Sequence, residues 1–193
     1  MQSIVTGSSG FIGSRLKYLL EKEGNDIVGV SRSAQSRAND VKCDLEKECL
    51  KEEIFKTVHS VFHLAGYAHD LSNPSKSLET YIALNVDATI KLATQSAKAG
   101  VKNFIFISSV KAGLKNMLSN SVSGEYRNIY GQTKLKAESE LLKISKQFDM
   151  KVVIVRPALV YGNEVKGNLS LIKKAIEEGW CPPSVSYTHL TLP

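Results

Sequence analysis

The chain has 193 residues, of which 42% are apolar and 23% charged, and a formal charge of +6. This is the composition of an ordinary soluble globular protein, long enough for one domain with a substantial core. No apolar run could span a bilayer; Cys43, Cys49 and Cys181 have neither metal-ligand spacing nor even pairing, so no metal is expected; and the lysines are scattered along helical segments, which excludes a nucleic-acid surface and leaves a mild pull on anionic ligands.

Met1 runs directly into the first strand, Ser3-Ile4-Val5, which leaves no room for a signal peptide and makes a reducing cytoplasm the expected compartment. Thr6-Gly7-Ser8-Ser9-Gly10-Phe11-Ile12-Gly13 follows, and then a helical pattern from Ser14 to Glu21. Three glycines therefore sit on a strand-to-helix turn. Gly7 permits the turn, Gly10 removes a Cβ where a pyrophosphate must approach, and Gly13 lets the helix pack closely. The helix N-terminus offers N–H groups to an anion. Glycines alone could mark nothing more than a turn.

The second strand, Asp26 to Val30, ends at Ser31-Arg32. An acid here would hold the ribose hydroxyls of NAD; a neutral residue followed by arginine suits a 2′-phosphate, which favours NADP over NAD. Val41 to Leu45 reads as a third strand containing Asp44, and Glu46 to Lys56 as a helix. Ser60 to Gly66 is an apolar strand ending in Ala65 and Gly66, small enough for backbone to lie against a ligand. His63 lies within that run and reads as core more than catalytic. Tyr67 to Ser75 is a loop. A long helix runs from about Ser77 to Ala99, and Asn85 within it is either a tolerated polar residue or a bend toward a site. Val101 to Ile107 is a strand with Ser108-Ser109 at its C-terminal end, the edge where open α/β sheets bind ligands. Leu114 to Asn128 is a loop. The next helix opens at Tyr130 and runs to about Phe148, placing Tyr130 and Lys134 on one face. Lys151 to Val155 is a sixth strand, and Asn168 to Gly179 a last helix. The alternation of apolar strands with helices implies an α/β fold, a doubly wound parallel sheet of order 3-2-1-4-5-6.

Together, Thr6-Gly7-x-x-Gly10-Phe11-Ile12-Gly13, Asp44-Leu45, His63-Leu64-Ala65-Gly66, Asn85-Val86, Ser108-Ser109, Tyr130-x-x-x-Lys134 and Arg156-Pro157 resemble, in family order, the extended short-chain dehydrogenase/reductases. Leu159-Val160-Tyr161-Gly162 and Tyr67-Ala68-His69 resemble their nucleotide-sugar epimerase, dehydratase and 4-ketoreductase branch. The resemblance implies a Rossmann domain and an NADP or NAD cofactor held by Gly7, Gly10, Phe11, Ile12, Gly13, Arg32, Asp44, Leu45, Leu64, Ala65, Gly66, Asn85, Tyr130, Lys134 and Pro157. It further implies a nucleotide-sugar substrate met by Ser109, Tyr130 and Asn168, and a homodimer in the full-length form. Ser109, Tyr130 and Lys134 are then the catalytic set. Lys134 is expected to lower the tyrosine's pKa from near 10, and Ser109 to orient the sugar oxygen. A 4-epimerase and a 4-ketoreductase remain open. So do a non-catalytic dinucleotide sensor, against which Tyr-x-x-x-Lys argues, and a scaffold that no longer uses the site.

Family members carry a smaller C-terminal substrate domain, which this chain is expected largely to lack. Residues 1–184 are expected to hold the cofactor domain and the start of the substrate region. Val185 to Pro193 reads as one frame of a transposon-end sequencing adapter, a foreign tail to set aside from the fold. A chain without its second domain is expected to be inactive.

Overall fold

A computed structural model of the chain describes residues 1–33, 39–67, 78–113, 129–162, 174 and 177–179. The chain divides into two units, Met1–Leu159 and Val160–Pro193. In the second, the Glu178 amide donates to the Lys174 carbonyl at 2.9 Å. Asn168, the loop expected from Leu114 to Asn128, most of that from Tyr67 to Ser75, and the tail from Val185 lie outside the described residues.

The first unit alternates strands and helices: β1 (Gln2–Thr6), α1 (Phe11–Lys22), β2 (Asp26–Ser31), β3 (Val41–Lys42), β4 (Val58–His63), α2 (Leu78–Ile82), α3 (Ala88–Lys98), β5 (Asn103–Ile107), α4 (Ile129–Gln147) and β6 (Lys151–Val155). All pairs are parallel and the order is β3-β2-β1-β4-β5-β6, as the alternation implied. The chain returns to the middle of the sheet after β3. β1 and β4 are therefore neighbours whose following loops leave in different directions, and their C-terminal ends border the crevice where such sheets take ligands.

Apolar strand residues fill the core. Ile4, Val30, Val61, Phe104 and Phe106 are fully buried, and Leu92 of α3 and Leu141 of α4 close over the same cluster. Strands with both faces covered need no polar alternation, which is why β4 and β5 read as apolar runs.

Two expectations fail in the segment after β2. The third strand stops at Lys42, and no helix forms from Glu46 to Lys56; the segment holds only a 3₁₀ turn at Glu52–Phe55. Asp44 explains the first part. Its carbonyl accepts the amides of Lys47 and Glu48, both at 2.8 Å, and its carboxylate accepts that of Glu46 at 3.3 Å. A side chain that takes nearby amides competes with a helix. The run from Glu46 to Glu53 is also mostly charged; Leu50 and Phe55 of the segment are buried in the core, and Ile54 packs against it.

The long helix from Leu78 to Lys98 is interrupted at Ala83–Asp87 by a π-helical turn, in which the Ala88 amide reaches back five residues to the Ala83 carbonyl. Asn85 sits in this turn. The mid-helix asparagine thus marks a real irregularity.

Candidate functional site

Gly7 adopts φ +66°, and a Cβ there would lie 2.9 Å from the Ala65 nitrogen. At Gly13 a Cβ would fall 2.2 Å from the Gly7 carbonyl oxygen. The loop therefore folds on itself and against the end of β4 with no room for side chains. At Gly10 the conflict is also internal, 3.0 Å from the Gly7 oxygen. Gly10 is the N-cap of α1, so no side chain covers the first-turn amides, and no acid lies in that turn. A helix end of this kind suits a phosphate.

This loop forms one wall of a cleft of about 200 Å³. Gly7, Gly10, Arg32, Asp44, Leu45, Leu64, Ala65 and Gly66, all expected on the cofactor, line it together with Ser9, Ser31 and Leu84. The glycine cradle, the open helix end and the apolar strip of Leu45 and Leu64 fit a dinucleotide. Phe11 turns aside and packs under the Arg15 guanidinium, 4.2 Å from its ring centroid. Ile12 is half-buried in α1. Pro157 lies beyond β6, where its carbonyl accepts the Val110 amide at 3.2 Å.

At the ends of β5 and α4 a second group gathers. The Tyr130 phenol stands close enough to the Ser109 hydroxyl for that hydroxyl to favour its charged form. Lys134, 3% exposed, donates to the Ile107 carbonyl at 2.9 Å and lies 4.5 Å from the Phe106 ring centroid and 6.0 Å from that of Tyr130. A Cβ on Gly66 would come 3.2 Å from the Lys134 nitrogen and 2.9 Å from Asn85 Oδ1, so glycine there lets both polar groups reach the cleft wall. The phenol does not have the lowered pKa expected of it. Burial raises it, the Ser109 hydroxyl pulls the other way, and the Lys134 ammonium is spent on a carbonyl. Burial in turn lowers Lys134 to about 8, opposed by the Glu138 carboxylate.

Ser108 and Ser109 have separate tasks. Ser109 faces Tyr130, whereas the Ser108 hydroxyl donates to Glu138. Glu138 also receives Arg156 Nε at 2.9 Å and Arg156 Nη2. Asn85 clamps the chain after β4: Oδ1 accepts the Tyr67 amide at 2.8 Å, and Nδ2 donates to the Tyr67 carbonyl at 3.1 Å and to Thr133 Oγ1 at 3.3 Å.

His63 is core, as expected. Its Nδ1 lies 2.7 Å from Thr6 Oγ1 and its Nε2 lies 2.9 Å from Thr89 Oγ1. Thr6 Oγ1 already accepts the Leu64 and Ala65 amides, each at 3.2 Å, so its own proton goes to Nδ1. Thr89 gives its proton to the Asn85 carbonyl at 2.9 Å and so accepts Nε2–H. One neutral tautomer therefore ties the glycine loop to the π-helical turn. Burial, with the Lys134 charge nearby, lowers the imidazole to about 3.

A sequence profile described as the NAD dependent epimerase/dehydratase family matches residues 3–181. The chain belongs to this family. A UDP-glucose 4-epimerase from Vibrio cholerae is 31% identical over 196 residues, 96% of this chain and 60% of that protein. Among solved structures, MoeE5 in complex with UDP-glucuronic acid and NAD is 27% identical with a TM-score of 0.75, covering 91% of this chain and 61% of that one. A UDP-glucuronic acid 4-epimerase from Bacillus cereus in complex with NAD shares the fold at 23% identity, with a TM-score of 0.75 over 93% of this chain and 64% of that one. The chain thus spans about 60% of the length of these relatives.

Within this family member, four residues near the site escaped the sequence reading. Glu138 lies one turn beyond Lys134 and two beyond Tyr130, a spacing that could have drawn it in. Tyr81 lies one turn before Asn85, buried, and its proximity adds to the raised pKa of Tyr130. Thr133 and Thr89 carry no signal beyond their position.

Proposed function

We propose that this chain holds the dinucleotide and the proton-transfer residues of an enzyme acting on a nucleotide sugar, a UDP-sugar by analogy with its relatives, as a 4-epimerase or a 4-ketoreductase. The observation that carries the reading is the Ser109–Tyr130–Lys134 group beside a glycine-walled cleft at one sheet edge. When bound, the dinucleotide supplies the hydride donor or acceptor. Tyr130 moves the matching proton to or from the sugar oxygen, and Ser109 orients that oxygen by a hydrogen bond. A buried phenol above its usual pKa holds its proton, so Tyr130 is set as an acid, the role a reductase needs. To act as the base of an epimerase it needs positive charge nearby, which Lys134 and an oxidised nicotinamide ring would provide.

Arg32 and Ser31 at the end of β2 support NADP over NAD, and NADPH is what a reductase consumes. Pro157 is assigned to the nicotinamide end and Asn168 to the substrate diphosphate by the resemblance. In this reading residues 1–184 hold the cofactor domain and the start of the substrate region, and Val185 to Pro193 contributes to neither.

Tyr130→Phe, in a chain extended to the length of its relatives, tests the mechanism. Loss of turnover with dinucleotide affinity nearly intact is expected, because the oxygen moves the proton while the ring only packs. A wild-type rate in that variant would end the proposal.

A further inference from the structure

We infer that Tyr67 and Glu46 set the choice between the two dinucleotides by holding Arg32; the inference rests on the dinucleotide reading of the cleft. Three loops meet at its outer end. Arg32 follows β2, Glu46 follows the Asp44-Leu45 pair, and Tyr67 follows the glycine at the end of β4. The Arg32 guanidinium lies 5.7 Å over the Tyr67 ring centroid, and its charge pulls against the raised pKa of the phenol. The Tyr67 hydroxyl donates to Glu46 Oε2 at 3.3 Å. The phenol is thus a bridge between a cation and a carboxylate.

Tyr67 is a fixed post for this bridge. Asn85 holds both its amide and its carbonyl, and its ring meets Tyr81 edge-on at 6.1 Å between centroids. Burial and the Glu46 carboxylate raise its pKa, with Arg32 opposing, so it stays neutral and able to donate. Arg32 is exposed, and among the described residues its contact is with Tyr67. Its direction depends on what Tyr67 and Glu46 offer it.

A 2′-phosphate would bring negative charge to the position that Arg32 commands. To pair with it, Arg32 must leave the phenol that Glu46 holds in place. A free ribose hydroxyl asks for no such move. The bridge therefore works against the phosphate that Arg32 alone would favour, and narrows any preference for NADP.

The experiment is calorimetric titration of NAD and NADP into the 193-residue chain and its variants, reading the ratio of the two affinities. Glu46→Gln is expected to move the ratio toward NADP by on the order of three- to fivefold, the upper part of what one screened charge at a surface is worth. Tyr67→Phe keeps the ring and the net charge, and is expected to move the ratio the same way by less. In an Arg32→Ala background, Glu46→Gln is expected to leave the ratio within about twofold, because the cation it restrained is gone. A ratio unmoved by Glu46→Gln overturns the inference. So does a full shift without Arg32, which would mean direct repulsion, or a shift with Glu46→Gln and none with Tyr67→Phe, which would mean bulk charge. Binding of neither nucleotide overturns the dinucleotide reading itself. A preference for NAD that Arg32→Ala leaves unchanged overturns the NADP assignment.

Discussion

At the β5–β6 end of the sheet, Asn85, Lys134 and Glu138 are 1–3% exposed, and each is bonded to a different element from its own. At the β2–β3 end the cleft is walled by Gly7, Gly10, Gly66 and a few apolar side chains such as Leu45 and Leu64, and Arg32 stands in solvent. In the function proposed above, the contrast follows from what each end would have to do. Proton transfer needs a donor held to a fraction of an ångström, and only packed, mutually bonded side chains give that. A dinucleotide is long, and backbone amides and a fitted loop can hold it wherever its side-chain neighbours sit. Side-chain replacements should therefore be severe at the first end and mild at the second, where only the glycines are intolerant.

The most damaging test of that contrast is Glu138→Gln. The variant keeps the shape but leaves Arg156 and the buried Lys134 without a carboxylate. Its melting midpoint is expected to fall by roughly 2–10 °C, less than for a wholly interior pair because the Arg156 side chain is 43% exposed. Lys134, already at about 8, should titrate lower still, which NMR of its side chain can follow. Burial works to raise the Glu138 carboxyl, but the bonds from Arg156 and Ser108 outweigh it and hold the group below its usual 4.5. Its contribution is therefore present above that pH and disappears as the pH falls through the lowered value. A variant as stable as the parent, with Lys134 unmoved, would show that the two ends do not differ in this way.

What the sequence disclosed follows the same division. The Gly7–Gly13 loop, the strand order and the Tyr130/Lys134 face are local patterns, governed by spacing along one element, and they were legible. The links from Glu138 to Arg156, from Asn85 to Tyr67 and from His63 to Thr89 join residues 18 to 26 positions apart. Nothing in periodicity announces them. Asp44 shows the opposite failure: a single side chain and carbonyl stopped a helix that the charged run after it could not nucleate. The pKa of Tyr130 was misjudged because one-turn spacing to a lysine does not say where the ammonium points.

His63 gives a smaller effect and a sharper one. The imidazole falls from 6.5 to about 3 on folding, so between those values the unfolded chain binds more protons than the folded one. Stability should drop as pH falls through that window. His63→Phe should flatten this part of the acid-unfolding curve, leaving the slope due to carboxylates. In the parent, nitrogen NMR should show the Nε2–H tautomer, with no titration near neutral pH. An Nδ1–H tautomer would break the link drawn from Thr6 to Asn85 and with it the interlocking of the reaction end.

The mildest expectation belongs to the nucleotide end. Cys43 lines the cleft, buried, while Cys49 is exposed. Burial, followed by the charges of Glu48 and Asp44, raises the Cys43 thiol to about 11. At pH 8 it is almost wholly protonated, and the thiolate is the reactive form. A small alkylating reagent should therefore label Cys49 many-fold faster than Cys43, which mass spectrometry of the peptides can measure. Cys43→Ala should leave dinucleotide affinity within about twofold, since a cleft that binds through backbone and glycine has little use for this side chain. Rapid labelling of Cys43, or a large loss of affinity in Cys43→Ala, would mean that side chains matter at this end as they do at the other, and the contrast between the two would fail.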